Sequence, residues 1–200
     1  MERCYATKGF FQMNNVRETH TKNWELSKRS DFVDEMIAEI RQMGLKLLRI
    51  HVAGDFYGKR YIRKWIKIAK ACPDVQFYAY TRSWRKKALL PALELLAEVE
   101  NVSLWWSCDK DTDEYDGQPP AVPSVGVTYM QVDPGEAIPD YVDLIFRVKR
   151  KTIEKFVGSC FVCPAENGVK PKPHCDKCAL CWSDKDMPRK KVREAHASAS

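Results

Sequence analysis

The sequence predicts an α/β protein built on parallel strands, ending in a cysteine-rich metal-binding segment. Three observations carry this. Helical and strand-like stretches alternate over the first 150 residues with short connections, and strand–helix–strand repeats join parallel strands through right-handed crossovers. Five of the eight cysteines crowd into residues 160–181. The 200-residue chain is 44% hydrophobic and 30% charged, which excludes a disordered tail and supplies enough apolar material for a real core.

Taken in order, residues 14–28 form a weak helical pattern with Val16, His20 and Trp24 at i, i+4 spacing. Residues 31–43 form a stronger one: Val33, Met36, Ile37 and Ile40 share a face, Ser30 or Asp31 can cap the start, and Gly44 follows the end. LKLLRIHVAG (45–54) reads as a buried strand closing on glycine. Residues 58–71 are the clearest helix, with Ile62, Trp65, Ile66 and Ala69 as an apolar stripe and Lys59, Arg63, Lys67 and Lys70 opposite. VQFYAYT (75–81) is rich in β-formers, and Pro91 suits the first turn of a helix running to about Val99. NVSLWWS (101–107), SVGVTYM (124–130) and YVDLIFRV (141–148) read as three further strands. We expect an α/β unit over 1–150 and a cysteine-rich lobe with a basic tail over 151–200.

This alternation fits a doubly wound sheet or a barrel of TIM type, whole or partial. In both, function collects at the C-terminal ends of strands. Those ends carry Gly54-Asp55, Thr81-Arg82, Ser107-Cys108-Asp109 and Tyr129-Met130, and the long, acidic, proline-rich stretch 109–140 is expected to cover that edge. No apolar run approaches the ~20 residues that span a bilayer, and the N-terminus lacks the apolar stretch of a signal peptide. The expectation is a soluble cytoplasmic protein in a reducing compartment, with no membrane partner, whose cysteines are thiols or metal ligands.

Cys160, Cys163, Cys175, Cys178 and Cys181 offer five thiolates. Two C-x2-C pairs can close a tetrahedral zinc site, leaving one cysteine over. The second pair is, however, a triple, C-x2-C-x2-C. That is the run by which bacterial ferredoxins hold three corners of a [4Fe–4S] cluster, and their fourth cysteine precedes proline, as Cys163 precedes Pro164. Cys163, Cys175, Cys178 and Cys181 therefore fit an iron–sulfur centre, with Cys160 spare or exchanging with Cys163; zinc is the alternative cofactor. Five free thiols without a metal fit poorly, because such thiols tend to be buried and this segment is polar.

Other candidates have plainer readings beside them. Asp55 can face a ligand or cap the helix that follows, and His51 reads as a core histidine. Arg82 can hold a carboxylate or phosphate, while Cys72 and Cys108 read as packing. Residues 58–87 carry ten Lys/Arg against one acid, and residues 109–140 carry eight acids against one base. A surface built from Lys59, Arg63, Lys67 and Arg85, with Trp84 stacking on a base, can bind nucleic acid. The plainer reading is a solvated helix face partly neutralised by the acidic loop. Asp109-x-Asp111-x-Asp113 starts like a calcium loop but lacks the required glycine and final acid.

Two family resemblances follow from these residues. RIHVAGDFYGKRYIRKWIKIAKACPDVQFYAYTRSWR (49–85) and CPAENG…CDKCALCW (163–182) are similar to the signatures of the phage and mobile-element "gene product 88" family, over nearly the whole chain. More distantly, Arg3-Cys4-Tyr5-Ala6 resembles the end of the C-x3-C-x2-C motif of radical S-adenosylmethionine (SAM) enzymes, and Ala53-Gly54-Asp55-Phe56 their glycine-rich strand end. That resemblance implies a partial (β/α) barrel. It also implies that, if an upstream segment supplies two more cysteines, Cys4 completes a second cluster and Gly54 and Asp55 face SAM. Reductive cleavage of SAM to a radical acting on a substrate would then follow. The substrate is not legible in the sequence.

Overall fold

When parallel strands lie in chain order, right-handed crossovers put every connecting helix on one face of the sheet. That is the architecture of this protein in a computed structural model, which describes residues 9–115, 117–133, 135–147, 156–157, 160–165 and 174–182. The strands are β1 (Leu47–Ile50), β2 (Gln76–Thr81), β3 (Val102–Cys108), β4 (Val125–Gln131), β5 (Leu144–Arg147), β6 (Phe156–Val157) and β7 (Cys160–Val162). Their order in the sheet is β1-β2-β3-β4-β5-β7-β6; all neighbours are parallel except the antiparallel β6–β7 pair. The sheet is open, not a closed barrel. It also crosses the expected boundary at residue 150, because Cys160–Val162 pairs with β5.

Four helices of two turns or more accompany it: α1 (Asn14–Lys28), α2 (Phe32–Gln42), α3 (Lys59–Ala71) and α4 (Leu90–Ala97). A short α5 (Lys110–Tyr115) interrupts the acidic stretch, which the sequence alone reads as loop. Gly44, at φ +61°, turns the chain out of α2, and Pro91 sits in the first turn of α4, where its missing N–H costs nothing. In α3 the buried stripe is Tyr61, Ile62, Lys64, Trp65, Ile68 and Ala69, rotated slightly from the expected one. Lys64 is admitted because its ammonium donates to the carbonyls of Ser27 (2.7 Å) and Arg29 (2.5 Å), tying α3 to the end of α1.

Alternation along the strands separates two cores. Ile50, Phe77, Leu104, Trp106, Val127, Ile145 and Val162 pack under the helices. The opposite, helix-free face carries Tyr80, Trp105, Leu144, Phe146 and Phe161, and is covered by Cys163, Cys178, Leu180 and Cys181. β3 is buried on both faces, as its unbroken apolar run requires. Trp105 lies directly opposite Gly126 in register, and only glycine fits there: a Cβ on Gly126 would lie 2.2 Å from the indole. Burial of a ring this size is worth about 3–5 kcal/mol by truncation. No helix among the described residues is long and apolar enough to cross a membrane.

Candidate functional site

The cysteine segment reaches the helix-free face through the pleat of β7. Successive residues of a strand point to opposite faces, so Cys160 and Val162 join the core beneath the helices while Phe161 points the other way. Cys160 is buried there, its thiol 3.2 Å from the Val142 carbonyl oxygen. Cys160 therefore lies on the opposite face of the sheet from Cys163, Cys178 and Cys181. Cys163 follows the last strand residue, and the chain returns at the single turn α6 (Cys175–Cys178), which sets its two cysteines at i, i+3 on one side. Ala179 then adopts φ +55°, a left-handed conformation that costs a non-glycine residue about 1 kcal/mol. This turn brings Leu180 into the core and Cys181 back toward its partners.

Cys163, Cys175, Cys178 and Cys181 consequently line one small cavity of about 20 Å³, closed on its inner side by Leu144 and Leu180. None of the seven described cysteines is in a disulfide. Among the described residues, no three His, Cys, Asp or Glu side chains are drawn together as a finished metal cage. The donor set is nonetheless of one kind, four sulfurs on an apolar wall, and suits a soft or borderline metal. Burial pushes the Cys181 thiol up to about 11, a trend opposed by the Tyr80 hydroxyl and reinforced by Cys178 and Cys175.

Two residues that the sequence does not mark as site residues hold this segment. Trp105 donates its indole N–H to the Cys181 carbonyl (2.9 Å) and the Ser103 hydroxyl approaches the Trp182 carbonyl (3.4 Å), while Tyr80 packs against the same apolar cluster as Cys178 and Cys181. The alternation of strand 76–81 puts Tyr78 and Tyr80 on one face. Nothing in the linear pattern says that the cysteines cover that face.

The C-terminal edge of the sheet is organised differently. Gly54 takes φ +89°, which explains the glycine, and open space lies where a Cβ would be. The Asp55 carboxylate accepts from the backbone N–H of Phe56 (2.7 Å), the Thr81 hydroxyl and the backbone N–H of Arg82 (2.7 Å). Arg82 in turn pairs with buried Asp109, which also accepts from the Thr112 N–H (3.0 Å) and hydroxyl (2.9 Å). Burial alone would raise the Asp109 pKa, but Arg82 and Thr112 hold it below the usual range. Asp55 and Asp109 thus stitch together the turns after β1, β2 and β3. Asp55 uses both carboxylate oxygens within the chain.

His51 leaves β1 at φ +69° and is hydrogen-bonded through Nε2 to the Tyr61 hydroxyl (2.9 Å). Its Nδ1 is buried without a partner, so the expectation of a satisfied core histidine holds for one nitrogen only. Burial pushes its pKa down to about 4, with Asp55 opposing.

Of the expected nucleic-acid residues, Lys59, Arg63, Lys67 and Arg85 are exposed. Trp84 is not available to stack on a base: it is 4% exposed and packs beneath the helices. Cys72 and Cys108 are buried, as packing cysteines should be. Cys4 and the basic tail, residues 189–193, lie outside the described residues.

Fold and site together define a class: an open, singly wound parallel α/β protein whose helix-free face carries a thiol-lined cavity. The chain belongs to the Gene product 88 family, whose sequence profile matches residues 1–184. It is 35% identical over 119 residues to the "Gene 88 protein" of Mycobacterium phage L5, covering 54% of this chain and 48% of that protein. It is 34% identical over 119 residues to the "Gene 88 protein" of Mycobacterium phage D29, with the same coverage. The chain spans about half the length of the curated relatives it matches. No solved structure matches it. These matches bear out the family resemblance and lend nothing to the radical SAM one.

Proposed function

We propose that this protein binds a metal centre through Cys163, Cys175, Cys178 and Cys181, and that the centre is an iron–sulfur cluster. The observation that carries the reading is the convergence of four thiols on one apolar cavity from two separate stretches of chain. The C-x2-C-x2-C run and the Cys-Pro pair favour a cluster over zinc. A cluster would supply one-electron chemistry, and zinc a structural staple. The chain's own part is to exclude water with Leu144, Leu180 and Trp105 and to hold Cys181 by its carbonyl. The SAM reading stays outside this proposal, since it needs Cys4, and Asp55 is committed to internal hydrogen bonds.

The test is anaerobic purification and reconstitution with iron and sulfide. A broad absorption near ~400 nm that bleaches on reduction, with iron and sulfide bound, supports the cluster. Colourless protein holding one zinc per chain replaces it with the staple, and protein holding neither overturns the metal reading. Cys178→Ser should lose the metal while Cys160→Ser keeps it.

A second reading has its own observation. Lys59, Arg60, Arg63, Lys67 and Lys70 form an exposed face along α3 with no ion pair among the described residues. We propose this face as a nucleic-acid contact. Affinity that falls steeply with salt supports it, and affinity unchanged by reversing Arg63 and Lys67 to Glu removes it.

A further inference from the structure

A row of cations fixes where a polyanion lies, and exposed aromatic rings beside the row decide which kind of polyanion fits. On α3, Arg60, Arg63, Lys67 and Lys70 follow one another at helical spacing, a stripe about 15 Å long at a rise of about 1.5 Å per residue. The helix holds no acidic residue. At the N-terminal end of the stripe α3 meets the last turn of α1. There the Lys64 ammonium, one turn beyond Arg60, donates to the carbonyls of Ser27 and Arg29. The Ser27 hydroxyl gives its proton to the Trp24 carbonyl (2.6 Å), so the Tyr57 hydroxyl donates to Ser27 Oγ (2.8 Å). Tyr57 is thereby fixed at the junction of the two helices, one ring face stacked on Tyr61 (centroids 4.5 Å, 15°). It is nonetheless 42% exposed, and Trp24, in the same turn of α1, is 49% exposed. The Lys28 ammonium lies over the Trp24 ring, 2.9 Å from its centroid.

We propose that this junction takes single-stranded nucleic acid: Tyr57 and Trp24 stack on unpaired bases while Arg60, Arg63, Lys67 and Lys70 follow the phosphates. This rests on the reading of α3 as a nucleic-acid contact and adds the form of the strand. Phosphates alone are met by a duplex and by a single strand alike. In a duplex the bases stack on one another and offer no ring face to a side chain, whereas an unpaired base does. A tyrosine and a tryptophan left exposed at the head of a basic row give that free face a partner. Buried Trp84 cannot do so. Ser27 and Tyr61 hold the Tyr57 ring before any ligand arrives, so binding has little left to order. Every base has such a face, so the site tolerates any sequence.

The experiment measures, by fluorescence anisotropy at two salt concentrations, binding of the full chain to a labelled oligothymidine of about 12 nucleotides. The same strand with abasic sites in place of its bases, a duplex of equal length and an oligouridine are compared with it. Oligothymidine should bind about 10-fold tighter than the abasic strand and the duplex. Trp24→Ala and Tyr57→Leu should each lower its affinity about 10-fold with the salt dependence unchanged, and Tyr57→Phe, which keeps the ring, should retain most of it. Arg63→Glu with Lys67→Glu should instead flatten the salt dependence. Oligouridine bound as tightly as oligothymidine extends the proposal to RNA, and weaker binding confines it to DNA. Abasic strand and duplex bound as tightly as oligothymidine overturn the proposal and leave the basic face standing; that comparison needs no variant, so a misfolded variant does not obscure it. Wild-type protein that binds none of these oligomers at low salt overturns both.

Discussion

Gly126→Ala tests the coupling between sheet and thiol cavity. The added Cβ would fall 2.2 and 2.4 Å from two carbons of the Trp105 ring, against 3.4–4 Å for ordinary contact, so the indole must retreat by more than about 1 Å. The ring is fully buried, and its N–H lies 2.9 Å from the Cys181 carbonyl. A retreat of that size breaks the hydrogen bond. Overpacking costs about 1–3 kcal/mol and the lost bond about 1 kcal/mol more, so we expect a destabilisation of about 2–4 kcal/mol. Denaturant titration of the metal-free chain measures it. Metal affinity should fall as well, because the displaced indole no longer anchors Cys181. Trp105→Leu in the same chain makes room for the new methyl, so the double variant should lose less stability than the two single changes combined. A Gly126→Ala protein with wild-type stability and metal affinity would refute the argument that Trp105 links the sheet to the cysteines.

Two further outcomes follow from the C-terminal edge. His51 is held near a pKa of about 4 in the fold against 6.5 in the unfolded chain, so the neutral ring stabilises the protein above pH 6.5 and that contribution is lost as pH falls toward 4. The shift corresponds to about 3 kcal/mol; His51→Asn, which tolerates the left-handed backbone, should flatten the pH dependence in denaturant titrations, and parallel curves for the two proteins would contradict it. Asp55→Ala strands the N–H groups of Phe56 and Arg82 together with the Thr81 hydroxyl. We expect a loss of about 3 kcal/mol and a fall in Tm of about 6–12 °C; a variant with unchanged Tm would return Asp55 to the ligand-facing residues.

Much of the fold is legible in the sequence because β-alternation and helical periodicity are local. The five strands before residue 148 and the four longer helices lie where their patterns fall, with the first strand cut short where His51 takes φ +69°. The strands at Phe156–Val157 and Cys160–Val162 are too short to show a period, and the metal-ligand spacing around them masks their β character. The same limit governs the site. Spacing names five candidate thiols, whereas only the pleat of β7 separates Cys160 from the rest. Trp84 illustrates the converse: its basic neighbours suggest a surface, while its burial comes from packing against residues distant in the chain.

The strand order also has a consequence for biosynthesis. Strands β1 to β5 and the helices on their far face are complete once residue 147 has been made, but the cover for Tyr80, Trp105 and Phe146 comes from residues 160–182. A growing chain therefore passes through a stage in which one side of a nearly finished sheet presents aromatic rings to solvent, the kind of surface on which nascent proteins aggregate. Closure waits for Cys181, whose carbonyl receives the buried indole. If metal gathers the last cysteines, its supply during translation sets how long that sticky face stays open, and soluble yield should follow metal availability even where the finished protein is stable without it.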